Sequence, residues 1–212
     1  MEITWLGHAC FLLRGSSATV LTDPFPDSLG LSMGATTAAV VTVSNSHPNH
    51  SAVQGVQGRP LVLNGPGEYE VSGVYVRGVG TPLMPDADGT HRNTMFIIEV
   101  DDVVLCHVGD LSVPLVSRQL EKLTTCDVLF LPVGGRCTLP MDRVGEMVNT
   151  IEPRLVVPMH YAIPGLTVEL DPVEKFLQEM GHKEAEPLPR LTVTRSSLPA
   201  ERRVALLTPR RS

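Results

Sequence analysis

Two stretches of this chain are apolar with no alternation. Residues 128–133 read Val-Leu-Phe-Leu-Pro-Val, and residues 155–158 read Leu-Val-Val-Pro. A strand with one wet face alternates apolar and polar side chains, so an unbroken apolar run belongs in a sheet covered on both faces. That excludes a simple exposed sheet and calls for layers above and below. Shorter runs over 3–6, 10–13, 17–21, 39–43, 61–63, 71–76, 94–100 and 103–107 read as further strands. Asp101-Asp102 falls between two of them as the turn of a hairpin. Residues 190–195 and 203–207 read as a second hairpin, joined around Ser197-Leu198-Pro199.

Three helices are expected. Residues 113–122 carry apolar positions at helical spacing after Ser112, a candidate N-cap. Residues 142–151 place Val144, Met147, Val148 and Ile151 on one face. Residues 172–180 are bracketed by Asp171-Pro172 at the start and Gly181 at the end. Strands alternating with helices, together with hairpins, give an α/β (α+β) chain with mixed sheets, read as one domain over 1–212.

Composition narrows the function. The chain has 212 residues, is 42% hydrophobic and 19% charged, and carries a net charge of −6 without any long Lys/Arg run, which argues against a nucleic-acid partner. No apolar stretch is long enough to span a membrane. Met-Glu-Ile-Thr-Trp at the start lacks the pattern of a secretory signal, so a cytoplasmic location is expected. Cys10, Cys106, Cys126 and Cys137 form no Cys-x-x-Cys pair and read as buried free thiols.

Ionisable residues recur just beyond the apolar strands: His8, Asp23, then Asn45, His47, Asn49 and His50, then His107 and Asp110, and finally His160. Loops past strand ends are where ligands collect in α/β folds. In Ser44-Asn45-Ser46-His47-Pro48-Asn49-His50, two imidazoles three residues apart can face one point around the turn that Pro48 helps to fix. With Asp110 and His160 they supply three nitrogens and a carboxylate, a donor set suited to Zn²⁺, Fe²⁺ or Mn²⁺. The alternative is a hydrogen-bonded polar pocket without metal. His107 and Tyr161 read as structural, and Glu68 as a turn residue or a site residue.

Trp5-Leu6-Gly7-His8-Ala9, Thr22-Asp23-Pro24, the histidine segment, Gly65-Pro66-Gly67-Glu68, His107-Val108-Gly109-Asp110 and Pro158-Met159-His160-Tyr161 occur in that order. In this series the chain resembles the metallo-β-lactamase superfamily. More narrowly, it resembles the small bacterial and archaeal Zn-dependent hydrolases related to the lactonase that opens ascorbate 6-phosphate. The resemblance implies a four-layer αβ/βα sandwich of two mixed sheets with helices outside and a metal site along one edge. It also implies hydrolysis of a small-molecule ester, lactone or phosphoester by a metal-bound hydroxide.

The family motif His-x-His-x-Asp-His stands here as Asn45-Ser46-His47-Pro48-Asn49-His50. Its first histidine and its acidic position are both replaced by asparagine. A further family histidine has no clean match over 80–93, where His91 is the nearby imidazole. By the resemblance, His47, Asn49, His50, Asp110 and His160 are the metal positions. Asp110 and His160 carry catalysis, while His8, Asp23 and Asn45 support the ligands or the substrate. The two substitutions leave donors for a single ion, expected to be Zn²⁺ with Mn²⁺ or Fe²⁺ as alternatives. A full loss of metal would leave an inactive binding or scaffold protein. Assembly into a homo-oligomer through the tail is a further expectation.

Overall fold

The computed structural model describes residues 1–82, 92–123, 125–181 and 185–210; His91 and His182 lie outside the described residues. Thirteen strands are assigned among these residues. They are β1 (Glu2–Gly7), β2 (Cys10–Arg14), β3 (Thr19–Thr22), β4 (Val40–Thr42), β5 (Leu61–Leu63), β6 (Gly67–Val71), β7 (Val74–Pro82), β8 (Arg92–Val100), β9 (Val103–His107), β10 (Val128–Pro132), β11 (Leu155–Met159), β12 (Leu191–Thr192) and β13 (Arg203–Val204). Four α-helices accompany them: α1 (Pro48–Ser51), α2 (Ser117–Leu120), α3 (Met141–Ile151) and α4 (Glu174–Glu179).

The strands form two mixed sheets. One runs β12-β1-β2-β3-β4-β5 and the other β13-β11-β10-β9-β8-β7-β6. Residues 128–133 and 155–158 do lie in neighbouring central strands, paired in parallel from Val128↔Leu155 to Pro132↔Met159. The period of two sorts side chains between layers. In the first sheet, Trp5, Phe11, Leu13, Val20 and Val40 face the core between the sheets. Leu6, Leu12, Leu21 and Val41 face outward into a second apolar cluster with Phe25 and Leu29. Phe11 lies against Phe130 of the opposite sheet with ring centres 4.4 Å apart, so aromatic packing fixes the spacing of the sandwich. On the far side, α3 buries Val144, Met147, Val148 and Ile151, its expected face.

Several local expectations are corrected. The helix expected over 113–122 is only α2 plus a 3₁₀ turn at Glu121–Leu123. The Gln119 side chain accepts from Val116 N (3.0 Å) and donates to Gly80 O (2.9 Å), which starts the helix at Ser117 and ties it to β7. Asp171 does not cap α4; its carboxylate pairs with Lys175 Nζ at 2.9 Å. The strand expected over 71–76 is interrupted by the turn of a β6–β7 hairpin: β6 ends at Val71, which pairs with Val74 at the start of β7. The tail is not a hairpin: β12 pairs with β1, whereas β13 pairs with β11 in the other sheet. Arg210 donates from its backbone to Trp5 O (2.8 Å) and from Nη2 to Thr36 Oγ1 (3.0 Å).

The Asp101-Asp102 turn is present, with φ of 52° and 61° joining β8 to β9. Asp101 also reaches across the fold. Its carboxylate accepts from Ser16 Oγ (2.6 Å) and Ser16 N (3.1 Å), and these bonds lower its pKa. A carboxyl whose folded pKa is depressed contributes stability that is complete above its unfolded pKa and is lost as pH falls through the folded value. Asp101→Asn should therefore cost about 1 kcal/mol or less at neutral pH, given the solvent exposure. The gap to the parent protein should close as pH is lowered below the carboxylate range, measured by urea denaturation across pH.

Candidate metal centre

The site is assembled at one edge of the sandwich from the ends of β1, β3, β4, β9 and β11. The chain reaches it through unusual backbone. His8 (φ 51°), Asp23 (φ 38°) and His160 (φ 53°) all occupy the left-handed region. Such conformations cost about 1–3 kcal/mol each outside glycine and persist where surrounding contacts over-determine them. The contacts are present here. His160 N donates to His8 O (3.0 Å), and Trp5 Nε1 donates to the same carbonyl (3.0 Å). Asp23 N donates to Thr42 O (2.8 Å). The two sheets are thus stitched together where their site residues turn inward.

Three imidazoles converge. His8, His50 and His160 are buried, and each offers a ring nitrogen within 4.8 Å of the others. Asp110 lies beside two of them, with Oδ2 3.6 Å from His50 Nε2 and Oδ1 3.5 Å from His160 Nε2. Asp110 Oδ1, His8 Nδ1 and His160 Nδ1 are buried and have no hydrogen-bond partner among the described residues. Buried polar atoms are rarely left so. A cation among these donors fits both their chemistry and their lack of partners.

Asp23 orients the cluster. It is fully buried, accepts from Ser44 N (2.8 Å) and Ser44 Oγ (2.5 Å), and faces His50 Nδ1 at 2.8 Å. With Nδ1–H directed at Asp23, the His50 Nε2 lone pair is aimed at Asp110, the carboxylate–histidine arrangement expected behind a metal ligand. Burial alone raises the Asp23 pKa, but the nearby His107 and His50 outweigh it and hold the carboxyl below its usual range. Burial lowers His50, yet Asp110 and Asp23 together raise it above the usual imidazole value. His8 is pushed well down by burial and then by the His160, His50 and His47 rings. Burial also lowers His160, against the pull of Asp110. His8 and His160 are therefore neutral donors at pH 7.

The histidine segment forms α1, with His47 as its N-cap and Nδ1 accepting from Asn49 N at 3.2 Å. Only His50 enters the buried cluster. His47 is exposed and its ring centre lies 6.3 Å from that of His50; Asn49 is half-buried beside it. The Asn45 carboxamide is committed locally: Oδ1 accepts from His47 N (2.9 Å) and Nδ2 donates to Ser44 Oγ (3.3 Å). His107 is structural as expected, with Nδ1 accepting from Gly109 N (3.3 Å) and Nε2 donating to Ala9 O (2.8 Å). Tyr161 packs on Trp5, and Glu68 is an exposed partner of Arg77.

Sequence reading understated three residues. His8 was expected in a supporting role, but it stands among the ring nitrogens themselves. Cys137, expected as a buried thiol, is exposed near Asp110 and His160. Desolvation of its sulfur and the Asp110 charge push its pKa to about 11. Asn93 was passed over. It is fully buried; Oδ1 accepts from Asp110 N (3.0 Å), and Nδ2 donates to Val108 O (2.9 Å) and Thr81 Oγ1 (2.9 Å). Gly109, at φ 63°, permits this approach, since a Cβ there would lie 2.3 Å from Asn93 Oδ1. Its position just before the apolar run at 94–100 was the available signal.

Comparison with known proteins identifies the family and the fold. A family model described as a beta-lactamase superfamily domain matches residues 2–160. The chain belongs to the metallo-β-lactamase superfamily. Among solved structures, a candidate Zn-dependent hydrolase of the metallo-β-lactamase superfamily from Thermotoga maritima is 35% identical, with a TM-score of 0.80 and 97% of each chain covered. A metal-dependent hydrolase of Methanoregula boonei is 29% identical over 188 residues, covering 76% of this chain and 82% of its own. One from Methanoculleus marisnigri is 29% identical over 209 residues, covering 84% and 89%. The two mixed sheets flanked by helices are those of the metallo-β-lactamase fold.

Asn93→Ala should remove the support beneath the Asp110 loop. The expected cost is about 2–3 kcal/mol in chemical denaturation, because three buried partners lose their hydrogen bonds. Amide exchange at Asp110 should accelerate by more than the global loss of stability accounts for.

Proposed function

We propose that this chain is a metal-dependent hydrolase of a small ester, lactone or phosphoester, working with one ion. The observation that carries the reading is the convergence of His8, His50 and His160, with Asp110 beside His50 and His160 and with buried donor atoms that have no hydrogen-bond partner among the described residues. His50, Asp110 and His160 are the principal ligands, His8 stands beside them, and His47 and Asn49 lie at the rim. Three protein ligands with an open position suit a catalytic site. A divalent ion, if held by these residues, would supply Lewis-acid chemistry, making a bound water more acidic and polarising the group under attack.

The residues assign the remaining roles. Asp23 fixes the His50 ring so that Nε2 is the donor atom. Asp110 presents an unpartnered Oδ1 that can orient the attacking water and take its proton. The Asn49 amide cannot act as a base at neutral pH. Zn²⁺ suits a mixed imidazole and carboxylate set, as do Mn²⁺ and Fe²⁺. Support for one ion rather than two comes from Asn45, whose carboxamide is bonded to its own segment and offers no imidazole.

The amides at Asn45 and Asn49 favour a second reading, a scaffold that keeps the fold without the chemistry. Metal content separates the two. Protein loaded with Zn²⁺, Mn²⁺ or Fe²⁺ and desalted should retain about one equivalent by elemental analysis. It should also hydrolyse members of an ester, lactone and phosphoester panel in a chelator-sensitive way. His50→Ala and His160→Ala should each lower turnover at least ~100-fold, the upper end of losses seen for residues that merely support a ligand. Retention of no metal under any loading condition would leave only the scaffold.

A further inference from the structure

The loop after β10 brings a fifth potential donor residue, and a third donor type, to the site. Cys137 Sγ, an Asp110 carboxylate oxygen and a His160 ring nitrogen all lie within 4.8 Å of one another. This placement is built into the chain on both sides of the cysteine. Before it, Val133 N donates to Met159 O (3.0 Å), adjacent to His160, and Gly134 sits so close to the His160 carbonyl that a Cβ would lie 2.2 Å from it. After it, Leu139 N donates to Leu111 O (2.9 Å), adjacent to Asp110. Between these clamps, Gly135 (φ 61°) and Arg136 (φ 60°) are both left-handed, which reverses the chain. The cysteine is therefore held between the neighbours of the two residues it faces. Among the described residues, the buried His160 Nδ1 and Asp110 Oδ1 have no hydrogen-bond partner.

We propose that Cys137 is a metal ligand of this centre, closing an Asp110–Cys137–His160 face with a soft sulfur donor. The inference rests on the metal reading above and adds to it. Asn45 and Asn49 supply no imidazole or carboxylate to the site, and Cys137 enters from a different loop to make up the donor count. Coordination would release the thiol proton to solvent and leave a thiolate on the ion. A thiolate favours Zn²⁺ over the harder Mn²⁺. The other three cysteines are free thiols buried elsewhere: Cys10 Sγ contacts Met33 Sδ at 3.8 Å, and the Cys106 thiol is in hydrogen-bond contact with that of Cys126. Cys137 is thus the thiol positioned for the role.

Cobalt substitution of the full chain tests this. Co²⁺ titrated into metal-free protein should produce a near-ultraviolet thiolate-to-cobalt charge-transfer band and protect Cys137 from a thiol reagent. Cys137→Ser and Cys137→Ala should both abolish the band and weaken Zn²⁺ binding by at least ~10-fold, the lower end for losing even a supporting residue. Because Cys137 is exposed, both variants should melt as the parent does without metal. Stoichiometric Co²⁺ binding with no thiolate band, and unchanged Zn²⁺ affinity in both variants, would overturn the role of Cys137 while leaving the metal centre standing. Absence of any Co²⁺ or Zn²⁺ binding to the parent protein would overturn both.

Discussion

The edge of this molecule is organised around a single buried carboxylate. Asp23 ends β3 with a left-handed turn and takes hydrogen bonds from the backbone and hydroxyl of Ser44, just past β4. Its remaining contact is His50 in α1. Three consecutive pieces of chain are thereby fixed to one another by one side chain. A carboxylate without water is tolerable only when its acceptor sites are filled, and here the fold fills them. The same bonds that make Asp23 tolerable set the tautomer and direction of His50. Stability of the loop and orientation of the candidate ligand are one arrangement, not two.

The opposite sheet provides the complementary half. Asn93 holds the Asp110 loop from beneath, and the bond from His160 N to His8 O ties the ends of β11 and β1 across the sandwich. Both linkages are made by groups with no freedom to move, since Asn93 is fully buried and the His160 bond is backbone to backbone. Imidazoles from distant parts of the chain can meet with useful precision because the supports are rigid and the strained turns are held on every side. The left-handed backbone at His8, Asp23 and His160 follows from this: each turn bends a strand end into the site instead of away from it.

Much of the architecture was legible from patterning. Apolar runs without alternation placed β10 and β11 in the sandwich interior, and the Asp101-Asp102 turn located the β8–β9 hairpin. These readings succeed because they depend on local chemistry: side-chain period in a strand and left-handed tolerance in a turn. The readings that failed depended on partners far away. The tail looked like a hairpin, yet its two strands are claimed by different sheets. The helix before Leu123 is shorter than its apolar spacing suggests, because Gln119 bonds to Val116 and to β7.

The site divides along the same line. By itself the sequence determined that potential donor residues stand just beyond strand ends, and that the segment between His47 and His50 carries an amide, Asn49, with another, Asn45, just before it. Residue identity and strand order are enough for that. Only the tertiary structure decided which donors meet. It drew His8 in beside His50 and His160, left His47 at the rim, and set Cys137 next to Asp110. Spacing along a chain fixes which face of a strand a side chain takes. The distance between two strand ends depends on how the sheets pack and how the intervening loops turn, and no local pattern encodes it.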